Sequence, residues 1–70
     1  MQRQTLSKIQ NFLRNKFKTK NLKIEGRENK DDSAEVIIDD EFVGVVFEDK
    51  EDGELCYHFN MTILDIDLDE

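Results

Sequence analysis

The side chains of this chain that could do chemistry lie in one stretch, where Cys56, His58 and Asn60 alternate with large apolar residues. A two-residue alternation is typical of a β-strand, so we expect these polar side chains on one strand face. A thiol and an imidazole can form a nucleophilic pair. However, successive residues on one strand face stand about 7 Å apart, too far for a direct hydrogen bond. The stretch therefore predicts a partly buried polar row and no catalytic site.

Metal and phosphate sites find little support in the sequence. A zinc site uses three or four ligands, mostly nitrogen and sulfur, and only Cys56 and His58 can supply such atoms. The acidic stretch 48–54 could attract Ca²⁺ or Mg²⁺, but Lys50 stands where an EF-hand loop needs Asp or Asn. There is no glycine-rich phosphate loop and no serine elbow. We therefore expect no catalytic, cofactor-binding or metal-binding residue and no enzymatic activity.

Hydrophobic periodicity predicts the elements that carry these residues. Thr5 is the expected N-cap of a helix over about 5–18, whose apolar stripe is Leu6, Ile9, Phe12, Leu13 and Phe17. Alternating segments then predict strands at about 22–27, 34–38, 42–48 and 55–64, joined by a polar connection at 28–32, with an acidic tail at 65–70. The predicted fold is a single α+β domain over residues 1–70. Its one N-terminal amphipathic helix packs on a three- to four-stranded antiparallel sheet, an α-β-β-β-β meander.

The pairing of the last two strands decides which residues face the helix. Asp39 and Asp40 tolerate the left-handed backbone of a tight turn, and Gly53 can adopt a positive φ in the next one. A four-residue turn at 50–53 would place Val46 opposite Tyr57 and Gly44 opposite Phe59. Phe59 would then be nearly fully buried above Gly44. A turn one residue longer or shorter would exchange the two faces.

The two faces of the sheet differ in what they are expected to contact. The row predicted to face the helix is Phe42, Val46, Tyr57, Phe59 and Met61. The opposite face would carry Val43, Val45 and Phe47 beside Cys56 and His58. Such a face is more apolar than a solvated one should be, so we interpret these three residues as a candidate interaction surface.

Charge is divided unevenly along the chain. Residues 1–30 carry nine Lys or Arg and two acids, a net charge of +7, whereas residues 31–70 carry one Lys and fifteen acids, a net charge of −14. Such a split is consistent with a nucleic-acid face, a membrane face, or two halves that attract each other within the fold. We favour the third interpretation, but Lys16, Lys18 and Lys20 remain candidates for an interaction surface.

Composition bounds the class of protein. Seventy residues with 39% charged and 37% hydrophobic side chains suit one small soluble domain with a thin core. The sequence contains neither an apolar run long enough to cross a bilayer nor a secretory signal. The single Cys56 cannot form an internal disulfide, which favours a reducing compartment and predicts a cytoplasmic protein.

One resemblance covers much of the chain. The run DDSAEVIIDDEFVGVVFEDKEDGELCYHFNMTILDIDL, over residues 31–68, resembles a small uncharacterised family of alphaproteobacterial proteins, similar to the domain of unknown function DUF3126. The helix through Leu6, Leu13 and Phe17 is similar more loosely. The resemblance implies a bacterial cytoplasmic protein and supplies no activity, cofactor or site residue.

Two classes of function stay open. The first is a protein-interaction or regulatory module without catalytic activity, whose partner is another protein or a second copy of the chain. It is favoured by the small size, the second apolar face and the lack of catalytic motifs. The alternative is nucleic-acid binding through the basic N-terminal helix, which would weaken steeply with salt. The −14 charge of the second half disfavours this alternative, as does the lack of free aromatic residues for base stacking near the lysines.

Overall fold

The structure is a computed structural model that describes residues 1–27 and 30–69, apart from the side chains of residues 30, 31 and 52. Its elements are the helix α1 (Arg3–Phe17) and the strands β1 (Leu22–Arg27), β2 (Lys30–Ile38), β3 (Glu41–Asp49) and β4 (Cys56–Asn60). The strands form one antiparallel sheet in the order β1-β2-β3-β4. This architecture confirms the predicted α+β meander. Across the described ranges, no helix has the length and apolar character needed to cross a membrane.

Helix α1 begins earlier than predicted. Its N-cap position is Gln2, and no side chain hydrogen bonds there, so the assignment of Thr5 as N-cap was wrong. The helix ends where Lys18 adopts a left-handed backbone with φ of 56°, which its N–H supports by donating to the carbonyl of Arg14. Of the predicted apolar stripe, Leu13 is buried and Leu6 and Ile9 pack against the core.

Phe12 and Phe17 are the exceptions on that stripe. Their side chains are 61% and 51% exposed, so the expectation that both belong to the core was wrong. The core lies instead beneath the middle of the helix, where it packs on β1, β2 and β3. It consists of Leu13, Leu22, Ile24, Ala34, Val36 and Val46.

Side chains of α1 also cover the outer edge of β1. The Nε of Arg14 donates to the carbonyl oxygen of Leu22 at 2.7 Å, and the backbone N–H of Ile24 donates to Oε1 of Gln10 at 3.0 Å. An edge strand otherwise presents unpaired backbone groups that invite pairing with another chain. These two bonds therefore protect one edge of the sheet and fix the helix to it.

The hairpin between β2 and β3 turns where the sequence predicts. Asp39 and Asp40 have φ of 53° and 64°, the left-handed pair of a type I′ turn. Strand β2 begins earlier than predicted, at Lys30, which shortens the expected connection at 28–32; residues 28 and 29 lie outside the described residues.

A β-bulge interrupts the pairing of β2 with β3. Val36 pairs with Gly44 but Ile37 pairs with Phe42, which leaves Val43 as an extra residue on β3. Phe42 therefore falls on the face of Ile37, away from the helix, and is 57% exposed. Val43 packs against the core. The bulge thus exchanges the faces that these two residues were predicted to occupy.

The connection between β3 and β4 is two residues longer than predicted. Asp49 pairs with Cys56 and Val46 with Phe59, and Gly53 in the turn has φ of 71°. A shift of two residues leaves every side chain of β4 on its predicted face. Phe59 is only partly buried, so its near-complete burial was wrongly predicted. Its ring nevertheless lies over Gly44, where an added Cβ would be 2.7 Å from Cε1 of Phe59 and would collide with the carbonyl oxygen of Asn60.

Strand β4 is shorter than the predicted strand at 55–64. It ends at Asn60, and the chain continues through residues 61–64 to a short 3₁₀ helix at Asp65–Leu68. We call residues 61–69 the C-terminal segment. Its Met61 was predicted to face the helix but is exposed, as are Ile63, Leu64, Ile66 and Leu68.

Candidate functional site

The open face of the β3–β4 hairpin brings three reactive side chains together. Asp49 lies directly opposite Cys56, and His58 lies diagonally from Asp49 on the same face. Nε2 of His58 is 3.1 Å from Oδ2 of Asp49 and 3.6 Å from Sγ of Cys56. The prediction that Cys56 and His58 are too far apart for direct contact was therefore wrong. Strand spacing separates their backbones, but side chains that lean along the strand close the gap.

Sequence reasoning missed Asp49 in this cluster. Its participation depends on the register of β3 against β4, and the predicted register placed Glu54 opposite Asp49 in place of Cys56. A hairpin turn that follows an Asp and precedes a C-x-H triplet was the available signal. The length of that turn was the quantity that the sequence did not determine.

Hydrogen bonds and ring packing fix the cluster. The backbone N–H of Glu51 donates to Oδ1 of Asp49 at 2.9 Å, which turns Oδ2 toward His58. Together with His58, this N–H holds the pKa of Asp49 below its ordinary value, because both favour the charged carboxylate. The ring of Phe47 packs on the imidazole at a centroid distance of 5.3 Å.

The apolar residues predicted as an interaction surface do not form one patch. Val45 and Phe47 lie on the open face near the cluster, as predicted, but both are half-buried. Val43 lies in the bulge and packs against the core, so it does not belong to that face. The open face is therefore less available for an apolar contact than the sequence indicated.

The predicted basic surface lies at the end of α1. Lys16 places Nζ 5.5 Å from the centroid of the Phe12 ring, a cation–π contact. Lys18 and Lys20 line a depression of about 620 Å³ with Arg14 and three neutral polar residues, Asn11, Asn15 and Thr19. In residues 1–27 and 30–69, the Lys and Arg side chains of α1 make no ion pair; the ion pairs there join Lys23 to Asp40 and His58 to Asp49.

An apolar groove between α1 and β4 is a second feature that the sequence did not predict. Its volume is about 340 Å³, and its lining is mostly apolar, with one lysine: Lys8, Ile9, Phe12, Leu13, Val46, Tyr57 and Phe59. Phe12 forms one wall, and Phe59 the other, where its ring also meets the edge of Phe17 at 6.2 Å. The sequence signal for the groove was one apolar helix beside four apolar strands, since a single helix is too narrow to cover them all.

The comparisons with known proteins identify a family and no activity. The sequence profile of a family described as a protein of unknown function (DUF3126) matches residues 5–67, which is nearly the whole chain. No curated protein matches the chain, and no solved structure matches it.

Proposed function

Since the chain belongs to the DUF3126 family, whose function is unknown, we propose a role from its exposed surface. The proposal is a small protein-interaction or regulatory module without catalytic activity, which associates with a second copy of itself. In the dimer, the C-terminal segment of each copy lies in the α1–β4 groove of the other. The observation that carries this proposal is the amount of surface that a single copy leaves uncovered.

A single copy exposes more surface than a compact protein of its mass. Its accessible area is 5937 Å², and its Cα radius of gyration is 13.0 Å. A compact monomer of this size would expose about 4,600 Å² and have a radius of gyration of about 11 Å. The excess of roughly 1,300 Å² per chain corresponds to about 2,600 Å² in a dimer, within the range of stable homodimer interfaces.

Two exposed apolar surfaces of the chain have matching shapes and could cover each other in a dimer. The C-terminal segment exposes a run of large side chains, among which Ile66 and Leu68 are 72% and 68% exposed. The groove offers the complementary apolar surface, with Phe12 at its wall. Burying both would remove apolar area from water, which is the main driving force of association.

Charge complementarity favours the same arrangement. Asp65, Asp67 and Asp69 alternate with the apolar residues of the C-terminal segment. Lys8 lines the groove, and Lys16 lies over Phe12 at its wall. Since neither lysine has an ion-pair partner among the described residues, both are available to the acids of a second copy. Complementary charges of this kind fix the orientation of partners more than they add affinity.

A mixing experiment with two variants tests the proposal. Phe12→Ser removes the groove wall, and the double variant Ile66→Ser/Leu68→Ser removes the apolar side of the segment. We expect sedimentation to show dimers for the wild type and monomers for each variant alone. Equal mixing of the two variants should restore dimers partially, because the mixed pair retains one intact groove and one intact segment.

The matched control is Phe42→Ser, which removes an equally exposed phenylalanine from the opposite face of the sheet. This variant should remain dimeric. A monomeric wild type at every concentration would overturn the proposal, and so would dimers that persist in both variants. Loss of dimers in the control would show that association uses a different face.

Nucleic-acid binding through α1 is a second candidate, which the cations of the helix favour. In the part of the chain that the structure describes, they make no ion pair with a carboxylate, and Arg14, Lys18 and Lys20 share one depression. Phosphate groups could bind there. The −14 charge of residues 31–70 repels nucleic acid and ranks this candidate second.

A bacterial cytoplasmic location is part of the proposal. Cys56 is a free and exposed thiol in this structure. Such a thiol persists in a reducing compartment, whereas an oxidising one would modify it. The bacterial origin rests on the resemblance of residues 31–68 to bacterial proteins.

A further inference from the structure

The Asp49, Cys56 and His58 cluster brings three kinds of ligand atom to one point. A carboxylate oxygen, a thiol sulfur and an imidazole nitrogen all lie within 4.8 Å of one another. The cluster is on the open face of the sheet, away from the α1–β4 groove, so it is independent of the proposed dimer. All three side chains are partly or largely exposed, which leaves room for a further ligand.

The contacts do not have the arrangement of a nucleophilic triad. In a triad the imidazole uses one nitrogen for the nucleophile and the other for the carboxylate. Here both contacts are made by Nε2 of His58. One nitrogen cannot accept a proton from the thiol while it donates a proton to Asp49. An oxygen and a sulfur that both lie within 3.6 Å of one ring nitrogen are, however, close enough to share a metal ion with it.

Two of the three separations between the ligand atoms match those around a tetrahedral metal ion. Zinc binds nitrogen and oxygen at about 2.0 Å and sulfur at about 2.3 Å, so tetrahedral ligands lie roughly 3.3 Å apart for nitrogen and oxygen and roughly 3.6 Å for nitrogen and sulfur. The observed separations are 3.1 Å from Nε2 to Oδ2 and 3.6 Å from Nε2 to Sγ, and all three ligand atoms lie within 4.8 Å of one another, so a small side-chain movement would close the site around an ion. A thiolate with an imidazole selects zinc or a related transition metal over calcium or magnesium.

The surrounding groups orient two of the three ligands. The N–H of Glu51 holds Oδ1 of Asp49, and the ring of Phe47 packs on the imidazole of His58. Supporting contacts of this kind reduce the entropy that ligands lose when they bind a metal. The backbone of Cys56 is placed directly opposite Asp49 by the strand ladder.

We propose that Asp49, Cys56 and His58 bind one Zn²⁺ ion, with the fourth position open to water or to an external ligand. On binding, Cys56 releases its thiol proton to solvent and ligates as the thiolate, while His58 ligates through Nε2 with its proton on Nδ1. The ion would join the last residue of β3 to the first residues of β4. It would therefore stabilise the hairpin that carries the C-terminal segment.

Titration of the metal-free protein with Co²⁺ tests this site, because the absorption spectrum of bound Co²⁺ depends on the type and number of its ligands. We expect one Co²⁺ per chain, a thiolate-to-cobalt charge-transfer band in the near ultraviolet, and the intense visible bands of tetrahedral cobalt. Added Zn²⁺ should displace the cobalt and abolish both. Zn²⁺ should also raise the Tm of the wild type, because a ligand of the folded state stabilises it.

Variants assign the ligands. Cys56→Ser should lose the charge-transfer band, and His58→Gln and Asp49→Asn should each weaken Co²⁺ binding by about tenfold or more. The matched control Asp65→Asn removes an aspartate outside the cluster and should bind like the wild type. Absence of the charge-transfer band in the wild type would overturn the proposal, as would unchanged binding in His58→Gln and Asp49→Asn. Equal loss of binding in Asp65→Asn would indicate a nonspecific acidic site and would also overturn it.

Discussion

The two edge strands of the sheet, β1 and β4, have similar sequence patterns but differ in burial: β1 is covered by the helix, and β4 is largely exposed. At the β1 edge, Leu22 is fully buried, and α1 supplies Arg14 and Gln10 to the backbone of the strand. At the β4 edge, Tyr57 is exposed and Phe59 only partly buried. In the described ranges, no side chain bonds to the backbone of β4, and no element covers that edge.

This difference shows that alternating apolar and polar residues predict which side chains share a face of a strand. They do not predict whether another element covers that face. Both strands alternate apolar and polar residues, as half-buried strands do. One short helix is too narrow to cover four strands, because a helix with its side chains is about 10–12 Å wide whereas strands lie about 4.8 Å apart. The strands beneath the helix form the core, whereas β4 and the C-terminal segment keep large apolar side chains exposed.

The largest expected effect comes from a buried residue at the β1 edge. Leu22→Ala should lower the free energy of unfolding by about 2–5 kcal/mol, as the same substitution does at buried leucines of other proteins. Ile63→Ala, in the C-terminal segment, should change it by less than about 0.5 kcal/mol in dilute solution, where the chain is monomeric. Urea denaturation measures both. Similar losses for the two variants would mean that the C-terminal segment is packed within the single chain.

Gly44→Ala should have the next largest effect, at the junction of the two regions. The added methyl group would meet the backbone of Asn60 and the ring of Phe59, which must then move away. Overpacking of this kind costs about 1–3 kcal/mol. Hydrogen exchange should show β4 opening while β1 and β2 stay protected.

Gly53→Ala is the control for this prediction. Gly53 has a positive φ, but nothing lies within 4 Å of an added Cβ, so only backbone strain should result. Uniform loss of protection across all four strands in Gly44→Ala would contradict the picture of a separately attached β4.

The helix and the strands could be predicted from the sequence, but the difference in burial between β1 and β4 could not, for a physical reason. The spacing of Leu6, Ile9 and Leu13 predicted the helix, and β-branched residues predicted the strands. Which strands the helix covers depends on tertiary geometry, so the exposure of Phe12 and Phe17 was not predicted.

The candidate metal site could not be predicted from the sequence, because it also depends on how strands pair in the folded chain. The β3–β4 turn differs from the predicted one by an even number of residues, so the side chains of β4 lie on the predicted faces. The length of the turn fixed the register, and the register is what places Asp49 opposite Cys56. The bulge at Val43 likewise has no local signature, because it arises from the fit between β2 and β3.

The smallest expected effect concerns the charge on α1. Replacing Lys16, Lys18 and Lys20 by Gln should lower stability by at most about 1 kcal/mol at low salt, and added salt should shrink the difference. The wild type should not retard nucleic acid in a gel at any salt concentration. Retardation that disappears in the triple variant and weakens steeply with salt would instead support the nucleic-acid alternative.

The central claim is that a second copy covers the surface that one copy leaves open. An isotope-filtered NOE experiment tests it directly, on an equal mixture of ¹³C-labelled and unlabelled wild-type chains. We expect intermolecular NOEs between the methyl groups of Ile66 and Leu68 in one chain and the ring of Phe12 in the other. A concentrated sample in which these methyl groups show no intermolecular NOE would contradict the claim.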